Sequence, residues 1–290
     1  MLDQRRRDLR RFEEDHSARW ANVIDAIETL IVVALEAGGT FNQECRPEAF
    51  ATGRYRVIAL TSLHARSCQI AQEVLALLKS GFADGAHARW RSLHELAVVA
   101  FLLAQEGEDL TARFMLHQQV ESYRAMVEYQ TYAERLGQSP YSKDELETAQ
   151  RCRDELVQRY GKSFKQPYGW AAATVGKDKP TFADIEKRAK LDHFRPYYRM
   201  ASHNVHAGPR GATFQLGKRP GSDVLLAGPS MYGLADPGHG TAISLYQCTV
   251  ALLTLEPNVD RLVTLRIMGD SAREIGEEAM SIHASMKRQA

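Results

Sequence analysis

The sequence predicts an all-α protein, an antiparallel helical bundle with one insertion rich in glycine and proline. Apolar residues recur at intervals of three and four along nearly all of the 290 residues, as they do in helices with one buried face. Glycines and capping motifs divide these stretches into separate helices. The apolar fraction of 44% and the charged fraction of 25% exclude disorder, collagen and low complexity as descriptions of the whole chain.

Five helices are predicted in the first half of the chain. Glycine or proline follows most of them, and a Ser142-x-x-Glu145 capping box begins the fifth. The first helix is predicted to close at Ala37-Gly38-Gly39, before a loop that contains Pro47. The predicted bounds are residues 5–36, 49–80, 86–105, 109–136 and 142–161.

The second half begins with two short helices, one capped by Thr181 with Asp184 three residues later, and one over 197–206. An insertion follows over 207–240, with eight glycines and four prolines. Its β-prone pieces, 212–216 and 223–226, are separated by Gly-Lys-Arg-Pro-Gly-Ser and favour a small β-hairpin. Helices over 241–255 and 258–287 close the bundle.

These elements form one predicted domain over residues 1–290. Its parts are an N-terminal helix and loop (1–48), a core bundle (49–206), the insertion (207–240) and the C-terminal helices (241–290). Thirty-seven Lys and Arg nearly cancel 36 Asp and Glu, so nucleic acid could bind only through a local patch. Two runs of charge, Arg5–Arg11 and Lys287-Arg288, are interpreted as solvated helix faces. For Arg5–Arg11 the alternative is contact with nucleic acid.

A cytoplasmic protein without a membrane span is expected. The four cysteines are scattered and contain no Cys-x-x-Cys pair, which is typical of reduced thiols. No apolar core follows Arg5-Arg6-Arg7, so these residues do not begin a secretory signal. The longest apolar run, Leu96–Ala104, has nine residues, whereas a membrane helix needs about 20.

The segment from Tyr197 to His206 concentrates the side chains suited to chemistry. On one helix, Arg199, His203 and His206 would share a stripe, with Ser202 and Asn204 as secondary candidates. Arginine matches phosphate oxygens with a planar fork, and histidine exchanges protons near neutral pH. This combination suits RNA cleavage by the 2′-hydroxyl without a metal. The alternative is structural, since a helix dipole also stabilises a histidine at its C-terminal end.

Further candidates surround this segment. Arg91 and Glu95 lie one turn apart on the third helix, and we expect Glu95 to approach and orient Arg199 or His206. An ordinary ion pair between Arg91 and Glu95 is the alternative. Predicted RNA contacts are Arg91, the stacking aromatics Tyr197 and Tyr198, and the cations Arg210, Lys218 and Arg219. Packing of the aromatics and a solvated loop are the alternatives.

Two stretches carry a family resemblance. Ala88-Arg89-Trp90-Arg91-Ser92-Leu93-His94-Glu95, with the preceding Leu75–Ala86, and the segment Arg199–Gly208 resemble bacterial domain-of-unknown-function family 5677. That family looks related to the HEPN superfamily (higher eukaryotes and prokaryotes nucleotide-binding), whose signature is Arg, four to six residues, then His. Arg199 and His206 match at the six-residue limit, although Met200 stands where the motif commonly has a polar residue.

The resemblance implies a metal-independent endoribonuclease, without a cofactor, from a toxin–antitoxin or antiviral defence system. Arg199 would bind the scissile phosphate and His206 would handle the proton. RNA, a second copy of the chain, and an antitoxin or other defence protein are the implied partners. Two other readings stay open: a non-catalytic interaction or nucleotide-sensing module, and a metal site made of His203, His206 and Glu95.

Overall fold

A computed structural model describes residues 1–289, and all regular structure in that range is helical. The all-α prediction is therefore confirmed. The helices are α1 (Leu2–Thr52), α2 (Tyr55–Lys79), α3 (Ala83–Glu106), α4 (Glu108–Tyr132), α5 (Lys143–Tyr160), α6 (Ala172–Val175), α7 (Phe182–Arg188), α8 (Arg195–His203), α9 (Pro209–Thr213), α10 (Ala235–Leu253) and α11 (Val259–Gln289). Short 3₁₀ turns occur at Lys162–Lys165, Gly169–Ala171 and Asp192–Phe194.

Five long helices form the body of the bundle. α1 packs against α2, α2 against α3, and α10 against all three, while α11 covers α1 and α10. Between them lies one core cluster that includes Trp20, Ile27 and Leu245. A second cluster, which includes Phe41, Leu102 and Leu252, continues the core toward α4, α7 and α8. None of the helices within 1–289 combines the length and the apolar character needed to cross a membrane.

The predicted end of the first helix at Gly38-Gly39 is wrong. α1 continues to Thr52 and ends at Gly53, whose φ of 69° lies in the left-handed region. A Cβ at Gly38 would lie only 2.5 Å from Nδ1 of His64 on α2, so Gly38 permits close packing rather than a turn. Pro47 is tolerated because it and Gln43 are exposed, so water can reach the carbonyl that loses its helical partner.

The predicted hairpin is also wrong, because no strand occurs within the described part of the insertion. Its start forms the short helix α9, its last six residues begin α10, and residues 214–234 between them form a loop held by side chains. The Gln215 amide donates to the Leu226 carbonyl (2.9 Å) and accepts from the Leu226 N–H (3.1 Å). Asp84 accepts from the Leu216 N–H at 2.7 Å. These side chains satisfy backbone groups that a strand partner would otherwise satisfy.

Candidate functional site

The candidate site is built on α8, which packs against α3. Pro196 stands in the first turn of α8, where a missing N–H costs nothing. The helix ends at His203, three residues earlier than predicted. Gly208 is extended before Pro209, and the returning chain crosses the helix end so closely that a Cβ at Gly211 would lie 2.5 Å from the His206 carbonyl. His206 therefore lies in the turn after α8 rather than on its face.

Arg199 and His206 form the outer part of the site. Both side chains are exposed, and neither makes a hydrogen bond or ion pair with another residue of the described range 1–289. The predicted stripe through Arg199, His203 and His206 is not formed, because the helix ends before His206. Both side chains nevertheless face solvent without a carboxylate partner, so both are open to an external anion.

The secondary candidates Ser202, His203 and Asn204 are half-buried and therefore less accessible than Arg199 and His206. The Ser202 hydroxyl donates to the Tyr198 carbonyl at 2.8 Å, a bond within the helix that leaves its oxygen only partly free. The His203 ring lies 6.4 Å from the Phe214 ring, between centroids. Asn204 is half-buried, and its amide nitrogen has no partner within the described chain. These three side chains shape the end of α8.

Tyr198 links the outer part of the site to α3. Its hydroxyl accepts from Arg91 Nη2 at 2.6 Å and donates to Glu95 Oε1 at 2.6 Å. Arg91 and Glu95 also pair at 3.1 Å, as expected one turn apart. Burial, and then the bond to Glu95, raise the pKa of Tyr198 well above its ordinary value, so it is a neutral phenol. Glu95 thus reaches α8 as expected, but through Tyr198 rather than through Arg199 or His206.

A second polar network, centred on Glu186 of α7, was missed from the sequence. The fully buried Glu186 carboxylate accepts from His94 Nε2 at 3.1 Å and from the Arg195 guanidinium. The guanidiniums of Arg195 and Arg91 lie 5.3 and 4.7 Å from the centre of the Tyr198 ring. His94 is therefore a fully buried core histidine with a hydrogen-bond partner.

The charge distribution could have pointed to this region. Residues 193–222 contain five Lys and Arg, three His and no Asp or Glu. Arg195 is neutralised by Glu186, whereas Arg199 and the exposed Arg210 have no carboxylate partner in the described range. We call residues 193–222 the cationic segment. An excess of positive side chains of this kind attracts anions.

The other predicted contact residues lie on different parts of this region. Tyr197 is 48% exposed and available for stacking, whereas Tyr198 is buried. Arg219 is exposed and Lys218 is half-buried, both in the loop that follows α9. Among residues 1–289, no group of three His, Cys, Asp or Glu side chains is arranged to hold a metal ion. His203, His206 and Glu95 are thus not brought together as metal ligands.

Comparison with known proteins gives one match. The model for the family described as "Family of unknown function (DUF5677)" matches residues 57–223. The matched range contains α2 from its third residue, all of α3 to α9, both polar networks and the whole cationic segment. No curated protein and no solved structure matches the chain. The HEPN resemblance stays a prediction.

Proposed function

The chain belongs to the family of unknown function DUF5677, and we propose that it is a metal-independent endoribonuclease of the HEPN type that acts through Arg199 and His206. One observation carries the proposal: an arginine and a histidine, both exposed and without partners, stand in a 30-residue segment that has no acidic side chain. A polyanion can approach such a segment without repulsion from its own residues, and the two groups supply phosphate binding and proton transfer.

The proposed reaction uses the RNA's own 2′-hydroxyl. His206 removes its proton, the 2′-oxygen bonds to the adjacent phosphorus, and the bond from phosphorus to the 5′-oxygen breaks. The leaving oxygen takes a proton, and the products end in a 2′,3′-cyclic phosphate and a 5′-hydroxyl. Arg199 holds the phosphate oxygens while negative charge develops on them. Each step conserves charge and needs no redox partner.

In the proposed reaction a second histidine gives the proton to the leaving 5′-oxygen, so that different groups serve as base and acid. His203 lies on the last turn of the same helix, and the resemblance implies a second copy of the chain whose His206 could also serve. We propose the second copy, since homodimers of this type place two Arg–His pairs opposite each other. The polar networks contribute by position: Tyr198, bonded to Arg91 and Glu95, fixes α8 on α3 and thereby fixes Arg199.

The exposure of His206 favours an enzyme over a scaffold. A histidine that only stabilises a helix end would hydrogen-bond the terminal carbonyl groups of its own helix. His206 is instead exposed beyond the helix end. We further propose RNA as substrate and an antitoxin or defence protein as a regulatory partner.

Purified protein incubated with total RNA in EDTA tests the proposal. Arg199→Ala and His206→Ala should each lower the cleavage rate at least about 100-fold, the scale of a lost acid–base group. His193→Ala is the matched control, because His193 is exposed on the turn before α8 and has no role in the proposed reaction. Products should carry cyclic-phosphate ends.

Two results would contradict the assignment. Cleavage that survives both substitutions places the activity elsewhere or in a contaminant. Cleavage that EDTA abolishes in the wild type would reject the metal-independent route. Equal helicity of all four proteins, checked by circular dichroism, excludes unfolding as the cause of lost activity.

A further inference from the structure

The start of α1 projects from the bundle without packing against it. Every residue from 1 to 11 is exposed, and the first buried residue of α1 is His16. Residues 2–11, which we call the arginine arm, therefore extend the helix by about 15 Å beyond its first contact with the body. A helical stretch with no buried face gains nothing from intramolecular packing, so its side chains are open to contact with another molecule.

The arginine arm is cationic on one side. It contains five arginines and two aspartates, Asp3 and Asp8. At 100° per residue, Arg6, Arg7, Arg10 and Arg11 share one side of the helix. Arg6 lies 3.7 Å from Asp3 and Arg7 bonds to Gln4. Arg10 and Arg11 have no side-chain partner within the described chain, so their charge is available to an external anion.

The root of the arm lies beside the cationic segment. Phe12 Cζ and the Ser230 carbonyl both border Gly81, within 3.0 Å of the point where a Cβ would stand there. Gly217, which directly precedes Lys218, approaches Ser230 in the same way, with a Cβ position 3.3 Å from the Ser230 Cβ. Gly81, whose carbonyl accepts from the Ser230 N–H at 2.9 Å, thus connects Phe12 to Ser230, and Ser230 lies against Gly217 in the loop that carries Lys218.

We propose that the arginine arm binds the sugar–phosphate backbone of the same RNA strand that enters the Arg199–His206 site. The choice of RNA rests on the proposed function, whereas the anionic character of the ligand rests on the arm itself. The arm then makes the protein prefer a strand of many nucleotides over a dinucleotide. It adds affinity without reading sequence, because arginine contacts to phosphate carry no base information.

The binding test uses 2′-O-methyl RNA, which cannot be cleaved by its own 2′-oxygen, as a fluorescent single strand of about 20 nucleotides at several salt concentrations. The variant is Arg10→Gln/Arg11→Gln, and its matched control is Arg151→Gln/Arg159→Gln, two exposed arginines of α5. Losing two phosphate contacts should lower the slope of log K against log salt by about 1.4 and weaken binding roughly tenfold at ~0.15 M salt. The α5 control should bind like the wild type.

Three outcomes overturn the arm proposal. The first is an arm variant with the affinity and slope of the wild type, and the second is an equal loss in the α5 control. The third is arm-dependent binding to phosphatidylglycerol vesicles but not to RNA, which would make the ligand a lipid surface.

Failure of the arm and failure of the ribonuclease are separable. Arm-dependent RNA binding by a protein that cleaves nothing supports the arm and rejects the nuclease. Normal cleavage together with RNA binding that does not depend on the arm supports the nuclease and rejects the arm. If both proposals hold, the arm variant should cleave a dinucleotide at the wild-type rate and long RNA more slowly at limiting substrate.

Discussion

Adjacent glycines in the middle of α1 should respond in opposite directions to the same substitution. Gly38 and Gly39 both have helical backbone, but a Cβ at Gly39 meets nothing within 4 Å. Alanine there removes the entropic penalty of a helical glycine, so Gly39→Ala should stabilise the protein by about 0.5–1 kcal/mol.

Gly38→Ala should destabilise it. The added methyl would lie 2.5 Å from Nδ1 of His64, and that ring is 3% exposed and cannot swing into solvent. Moving the ring would break its 3.1 Å hydrogen bond to Thr249 Oγ1, a loss of about 1 kcal/mol. Overpacking destabilises the folded state by about 1–3 kcal/mol more, and the higher helix propensity of alanine offsets part of this loss. The net loss is about 1–3 kcal/mol.

Urea unfolding followed by far-UV circular dichroism measures both effects. The unfolding midpoints should move in opposite directions with an unchanged slope, because neither variant alters the surface exposed on unfolding. His64→Ala supplies the control: in that background the penalty of Gly38→Ala should largely vanish, a non-additivity typical of residues in contact. A Gly39→Ala protein that is destabilised as much as Gly38→Ala would refute the continuous helix, since alanine is penalised at a left-handed helix end.

Three further outcomes test the polar core by urea unfolding and by labelling. Tyr198→Phe should lower the free energy of unfolding by about 1–2 kcal/mol, because the Tyr198 hydroxyl bonds both a guanidinium and a carboxylate. The control Tyr197→Phe should change it by less than about 0.5 kcal/mol, since Tyr197 is exposed. Equal losses in the two variants would contradict the network. Burial lowers the pKa of His87 from 6.5 to about 4, so the unfolded chain binds more protons between these values and stability falls as the pH drops through that window. As the pH falls from about 6 to about 5, the free energy of unfolding of His87→Phe should therefore rise relative to that of the wild type by about 1 kcal/mol per pH unit. Parallel curves of stability against pH for the two proteins would rule this out. Burial raises the pKa of the Cys68 thiol to about 12. Iodoacetamide at neutral pH should therefore alkylate the exposed Cys152 and leave Cys68 unmodified until the protein is denatured, as measured by peptide mass spectrometry. Rapid labelling of Cys68 in the native protein would mean that it is not enclosed.

Two of the helix caps could be predicted from the sequence. The Ser142 capping box forms as predicted, with the Glu145 N–H 3.3 Å from Ser142 Oγ and the Ser142 N–H 2.8 Å from the Glu145 carboxylate. At Thr181, the N–H donates to Asp184 at 2.9 Å. Both caps join residues three positions apart, so their geometry needs no tertiary contact.

Half of the candidate site was also predictable. The concentration of Arg and His near α8 identifies the outer part, and the charged pair one turn apart on α3 points to Arg91 and Glu95. Glu186 was missed because nothing in its neighbourhood distinguishes it from an exposed helical glutamate. Its partners, His94 and Arg195, lie 92 and 9 residues away, and only the folded chain shows that the carboxylate is fully buried.

The sequence by itself determined the helical class and the capped helix ends, since periodicity and caps act over one or two turns. Tertiary structure decided where α1 ends, because His64 on a neighbouring helix turns Gly38 from a stop signal into a packing position. It also replaced a hairpin with a loop, because Asp84, more than 100 residues from the loop, takes the Leu216 N–H. In each case a residue distant in sequence overrode a local preference: His64 packs against Gly38, and Asp84 accepts a backbone N–H that a strand partner would otherwise take.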